Sequence, residues 1–140
     1  MDHVGIVVDD LAAAIEFFVV LGLVLEGEGS VEGGVADEIV GLEGVRSDIA
    51  FLGTVDGGVS LELSKFHSPP GPDGDRRAPA NAPGIRHVSF VVEEIDTVVA
   101  GLRDRGVELV GELASYGDSH RLCYVRGPEG ILVELAEKIG

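Results

Sequence analysis

His3-Val4-Gly5-Ile6-Val7-Val8-Asp9-Asp10-Leu11 returns, 84 residues further on, as His87-Val88-Ser89-Phe90-Val91-Val92-Glu93-Glu94-Ile95. Each copy alternates its residues as a half-buried strand does, then carries an acidic pair, then changes to helical periodicity. Leu11, Ala14, Ile15 and Phe18 recur at helical spacing in the first copy, and Ile95, Val98, Val99 and Leu102 in the second, so each helix has one apolar stripe. Asp9 or Asp10 suits the N-cap of the first helix, and Glu93 and Glu94 complement the dipole of the second. Gly22 and Gly106 stand where each helix needs a C-terminal cap. A further match sets Gly58-Val59-Ser60-Leu61-Glu62-Leu63 against Gly130-Ile131-Leu132-Val133-Glu134-Leu135 at an offset of 72, so the first copy is 12 residues longer in its middle. A repeat of this size decides the architecture before any single element does.

Working outward, strands are expected over 49–55 and 59–66 in the first copy and over 119–126 and 131–136 in the second, the latter pair joined by Gly127-Pro128-Glu129-Gly130. Weaker strands near 23–29 and 107–113 complete a β-α-β-β-β unit in each half. The chain therefore reads as α+β, with two tandem βαβββ modules at 1–66 and 85–140. The stretch 67–84, rich in Pro, Gly, Asp and Ala, is a connecting loop with no element of its own. The extra residues fall in 30–48, which reads as irregular.

The length of 140 residues fits one domain, and 45% hydrophobic with 25% charged residues suffices for a buried core. Ten Lys and Arg against 25 Asp and Glu give a net charge of −15, a field that repels phosphate backbones and anionic lipid. Nucleic acid and membrane partners are therefore not expected. Cys123 is the single cysteine, and no basic segment followed by an apolar one opens the chain, so the cytoplasm is the expected compartment. The longest apolar stretch, 17–25, is interrupted by Gly22 and too short to span a bilayer.

Strand parity sorts the polar residues by face. Val4, Ile6 and Val8 share one face of the first strand with the helix, which leaves His3, Gly5 and Val7 on the other; His87, Ser89 and Val91 follow the same parity. In the last strand of each copy, Leu61 and Leu63 alternate with Glu62, and Val133 and Leu135 with Glu134. A lone polar residue on such a face is ordinarily just solvated. Two histidines and two glutamates at matched positions make instead an N2O2 set suited to a divalent first-row metal, with two coordination positions left for adjacent oxygens of a substrate. The copies that complete the set belong to one chain or to swapped halves of a dimer.

These segments resemble the vicinal oxygen chelate superfamily, which includes glyoxalase I, methylmalonyl-CoA epimerase, extradiol dioxygenases, fosfomycin-modifying enzymes and bleomycin-resistance proteins. The resemblance covers nearly the whole chain. It implies paired βαβββ modules curling into a half-open barrel around a metal ion (Fe, Ni, Co, Zn or Mn) held by His3, Glu62, His87 and Glu134. It also implies a small-molecule substrate and a homodimer. Glyoxalase-type members carry Glu at the second ligand position, so Glu62 favours lyase or isomerase chemistry, with Glu62 or Glu134 moving a proton beside a polarised carbonyl. Glyoxalase I usually has Arg four residues after the first His, where this chain has Val7; glutathione is not implied.

His120 and Tyr124, four apart on the penultimate strand, read either as hydrogen-bond donors or acids toward a bound substrate, or as an ordinary edge-strand pair. If they face the pocket, Fe2+-dependent oxidation of an aromatic or polyketide-like compound is the alternative. A bleomycin-resistance type of drug binding is a third reading: the acidic charge would attract a cationic drug, and the intact ligand set counts against it. His67 lies an odd number of residues after Glu62 and so on the opposite face. Cys123, Phe17, Phe18, Phe51 and Phe90 read as core, and Arg76, Arg77 and Arg86 as solvated.

Overall fold

Ala14, Phe17 and Phe18 are the buried side of a ten-residue helix, α1 (Leu11–Val20), which follows directly on the strand β1 (His3–Val7). The Asp10 side chain accepts the N–H of Ala13 at 3.0 Å and caps the helix, and Gly22 ends it with φ of 106°, a conformation that costs glycine little. The computed structural model describes residues 1–140 and divides into two compact units, Met1–Gly74 and Asp75–Gly140. The division falls inside the stretch read as a connecting loop.

The first unit continues with β2 (Val24–Glu32), the short helix α2 (Gly34–Val40), β3 (Arg46–Gly53) and β4 (Ser60–Ser68). Its sheet runs β1-β4-β3-β2, with β1 and β4 parallel and the other pairs antiparallel. Ala50, Leu52, Leu61 and Leu63 are buried on the helix side, together with the fully enclosed Phe18. That alternation is the one parity gave, and it turns Glu62 to the other face. The second unit repeats the plan with β5 (His87–Val91), α3 (Ile95–Asp104), β6 (Glu108–Leu109), β7 (Ala114–Tyr116), β8 (His120–Arg126), a 3-10 turn (Pro128–Gly130) and β9 (Leu132–Lys138). Here β5 and β9 are the parallel pair, and Val125, Val133 and Leu135 fill the core with Ile95, Val99 and Leu102 of α3.

Several expectations are corrected. The stretch 30–48 is not irregular: β2 extends into it, and α2 follows between Gly33 and Gly41, both at positive φ. Periodicity could not reveal α2, because Val35, Ile39 and Val40 are exposed and only Ala36 is buried. The strand near 107–113 is instead the two short pieces β6 and β7, with Gly111 in the interruption, where a strand gains nothing from a missing side chain. The 67–84 loop loses its first two residues to β4.

The N-terminus of α3 is satisfied from outside its own segment. Glu94 sits in the left-handed region at φ 52° and makes no side-chain cap. The carboxylate of Glu137, on β9, accepts the N–H groups of Glu94 and Ile95, each at 3.2 Å. The acidic pair 93–94 therefore is not what caps this helix. Arg86, read as solvated, donates to the carbonyls of Ala78 and Pro79, and Arg126 donates to those of Arg76, Arg77 and Ala78. Two guanidinium groups thus fasten 76–79 by satisfying its carbonyl oxygens.

Candidate metal centre

Parallel pairing of β1 with β4 sets Gly5 opposite Glu62, two residues along from His3. Parallel pairing of β5 with β9 sets Ser89 opposite Glu134, two residues along from His87. The neighbouring antiparallel strand adds an aromatic side chain at the same register in both units: Phe51 opposite Glu62, and Tyr124 opposite Glu134. Each ring lies against the histidine of its own unit, His3 to Phe51 edge-on at 5.5 Å between centroids, His87 to Tyr124 tilted at 5.0 Å. A histidine, a glutamate and an aromatic side chain are thus built twice from equivalent strand positions.

In the first unit, Nε2 of His3 lies 2.9 Å from Oε2 of Glu62, and Nδ1 lies 2.7 Å from a carboxylate oxygen of Asp2. Asp2, foremost, and Glu62 hold the His3 imidazolium above its ordinary range, against a smaller opposing effect of burial. A cation at Nε2 would replace that proton while Nδ1–H kept its bond to Asp2, the way a carboxylate beyond a ligating histidine fixes its tautomer. In the second unit, Nδ1 of His87 has the Tyr124 hydroxyl at 3.4 Å, and Oε1 of Glu134 accepts a hydrogen bond from Ser89 Oγ at 2.7 Å. Both histidines therefore engage Nδ1 locally, and Nε2 of His3 faces Glu62. The structure gathers no group of three or more His, Cys, Asp or Glu side chains into a metal cage; each unit places one histidine and one glutamate on a common sheet face. Imidazole nitrogen with carboxylate oxygen is a donor set that fits a divalent first-row ion.

The structure separates the other candidates. Tyr124 stands beside His87, whereas His120, at the other end of β8, pairs in register with Lys138 and bonds Ser119 Oγ at 2.8 Å. The two residues thus have separate partners, Tyr124 the ring of His87 and His120 the hydroxyl of Ser119. His67 lies across from Asp48, its Nε2 2.8 Å from Oδ2, on the helix side of the sheet. Phe51 is the correction among the aromatics: half-buried beside His3, it belongs to the site face and not to the core. Sequence parity missed it because the register of β3 against β4 decides which residue faces Glu62. Ser89 stands in the repeat as the counterpart of Gly5, and the parallel register of β5 with β9 is what brings its hydroxyl to Glu134.

The paired βαβββ units define a vicinal oxygen chelate fold. Residues 1–135 match the model of the Glyoxalase/Bleomycin resistance protein/Dioxygenase superfamily, and the chain belongs to that superfamily. A glyoxalase family protein from Bacillus cereus is 49% identical, with a TM-score of 0.96 over 100% of this chain and 94% of its own. The uncharacterised protein YaeR of Escherichia coli is 27% identical over 137 residues, which is 97% of this chain and 94% of YaeR. The trypanothione-dependent glyoxalase I of Leishmania major shares the fold, with a TM-score of 0.69 and 23% identity over 98% of this chain and 85% of that one. The superfamily name spans enzymes and resistance proteins, so the chemistry has to be argued from the site.

Proposed function

We propose that this protein is a divalent-metal-dependent enzyme that binds a small organic substrate through two adjacent oxygens and moves a proton on it, as a lyase or isomerase of glyoxalase type. His3, Glu62, His87 and Glu134 are the proposed ligands. The observation that carries the reading is the duplicated pair at one register, His3 with Glu62 and His87 with Glu134, each imidazole with Nδ1 engaged. Bound there, a divalent ion would supply Lewis acidity to the substrate's oxygens. Asp2 orients His3, Tyr124 lies against His87 and brings a hydroxyl to its Nδ1, and Phe51 lies edge-on to the His3 ring. Glu62 or Glu134 is the carboxylate that takes and returns the proton.

The test is metal analysis of protein purified without chelator, followed by turnover of a panel of α-hydroxycarbonyl and hemithioacetal compounds by wild type and Glu62→Gln. Folding intact and turnover lost in the variant supports the reading; a fully active variant removes Glu62 from the proton step. A second reading, Fe2+-dependent oxidation of an aromatic or polyketide-like compound, is favoured by the Tyr124 hydroxyl 3.4 Å from His87. Oxygen uptake with a catechol panel by the iron-loaded protein separates it from the first.

A further inference from the structure

In the first unit β2 runs nine residues beside β3, whereas its counterpart after α3 in the second unit is broken into β6 and β7. Leu109 pairs with Val125 and Ala114 with Leu122, so residues 110–113 stand against only Cys123 and Tyr124, and the surplus bows out of the ladder. Between that bow and α3, on the helix side of the sheet, lies a cavity of about 190 Å³ walled by Val99 and Arg103 of the helix and by Leu109, Glu112 and Leu113. We infer that this cavity binds a free apolar α-amino acid, with its side chain on Val99, Leu109 and Leu113, its carboxylate toward Arg103 and its ammonium toward Glu112.

Size narrows the ligand first, and charge second. A cavity of about 150 Å³ accepts a benzene ring, whereas a drug-sized ligand takes roughly 300–1,000 Å³, so this one has room for a single apolar side chain and little more. Its lining suits one: Val99 is buried, and Leu109 and Leu113 are half-buried. Three charged groups stand around it. Asp96 is already taken, because both of its oxygens accept from the Arg121 guanidinium. Arg103 and Glu112 are exposed and form no ion pair with each other or with any other residue, although they line the same cavity from opposite walls. Opposite charges that do not meet across an apolar cleft suit a ligand carrying both charges at one end of an apolar body, which is the form of an amino acid at neutral pH. A guanidinium donates two parallel N–H groups to a carboxylate, and a carboxylate accepts from an ammonium. An acid or an amine alone would satisfy one wall and leave the other. The cavity and the residues His87 and Glu134 lie on opposite faces of the sheet, so binding here does not require the ion.

The test is calorimetric titration of the wild-type chain with L-leucine and L-phenylalanine, and with N-acetyl-L-leucine and L-leucinamide, each of which lacks one of the two charges. One site per chain with a dissociation constant of about 1 mM or tighter is expected for at least one free amino acid, and binding about tenfold weaker for both derivatives, the worth of one charge-assisted hydrogen bond. Arg103→Gln and Glu112→Gln are each expected to weaken the amino acid by the same factor. Ala100→Leu, which puts a larger side chain into the lining from an exposed position of α3, is expected to abolish binding. All three substitutions fall on exposed residues, so their melting temperatures are expected to stay close to that of wild type. No binding of either amino acid would overturn the proposal. Derivatives that bind as tightly as leucine, or glutamine variants that bind like wild type, would overturn the recognition of both charges, and undiminished binding by Ala100→Leu would take the ligand out of this cavity.

Discussion

Glu62 reaches the ring of His3, Oε2 to Nε2 at 2.9 Å, although the two residues are 59 positions apart in the chain and on different strands. The parallel register of β1 and β4 sets Glu62 beside Gly5, two residues along from His3 on the same face. On the far side of the same imidazole stands Asp2.

Asp2 fixes which nitrogen of His3 is presented. Asp2→Asn keeps the shape and loses the charge, and it is expected to lower the affinity for a divalent ion about tenfold with the circular dichroism spectrum unchanged. Chelator competition measures it; an unchanged affinity would remove Asp2 from the account.

Asp48 accepts hydrogen bonds from His67 and from Ser30, and the bond from His67, foremost, holds its carboxyl below the ordinary carboxylate range. A carboxyl whose pKa is lower folded than unfolded contributes stability that is present above its unfolded value and lost as the pH falls through the folded one. Asp48→Asn is therefore expected to flatten the fall of melting temperature below about pH 4, relative to wild type. An acid limb as steep as before would show that the pair contributes nothing.

Phe18 is fully enclosed under the first sheet. Phe18→Ala is expected to cost about 3–5 kcal/mol, transfer and cavity together, a large part of the roughly 5–15 kcal/mol that holds such a domain folded. Urea unfolding measures it, and a loss under about 1 kcal/mol would mean that the core collapses into the space.

Glu137 caps α3 from a neighbouring strand. Glu137→Ala is expected to cost about 1 kcal/mol, as loss of a helix N-cap does, and to raise amide exchange at Glu94 and Ile95 above that in the middle of β9. Glu93→Ala, by contrast, is expected to leave both unchanged.

The fold was legible because the chain states it twice: the His-started strands, the glycine stops and the Glu-bearing strands mark equivalent points in both halves. What stayed hidden was non-local. The α2 helix turns its valines and isoleucine outward, so its apolar residues do not trace a buried stripe. The Glu137 cap and the Arg126 clamp join residues more than 40 apart through pairings that no local pattern encodes. Of the proposed ligands, the common face of His3 and Glu62 in one unit and of His87 and Glu134 in the other followed from parity, because a side chain's face is a property of its own strand. Phe51 required the register of two strands, and the separation of His120 from Tyr124 required knowing what each one touches.

The central claim is that His3, Glu62, His87 and Glu134 hold a single divalent ion. Titrating Co2+ into chelator-free protein tests it most directly. The expected result is one ion per chain, with visible absorption bands that disappear in His3→Ala and equally in His87→Ala, each variant still folded. No bound ion in wild type, or loss in one variant with undiminished binding in the other, would contradict it.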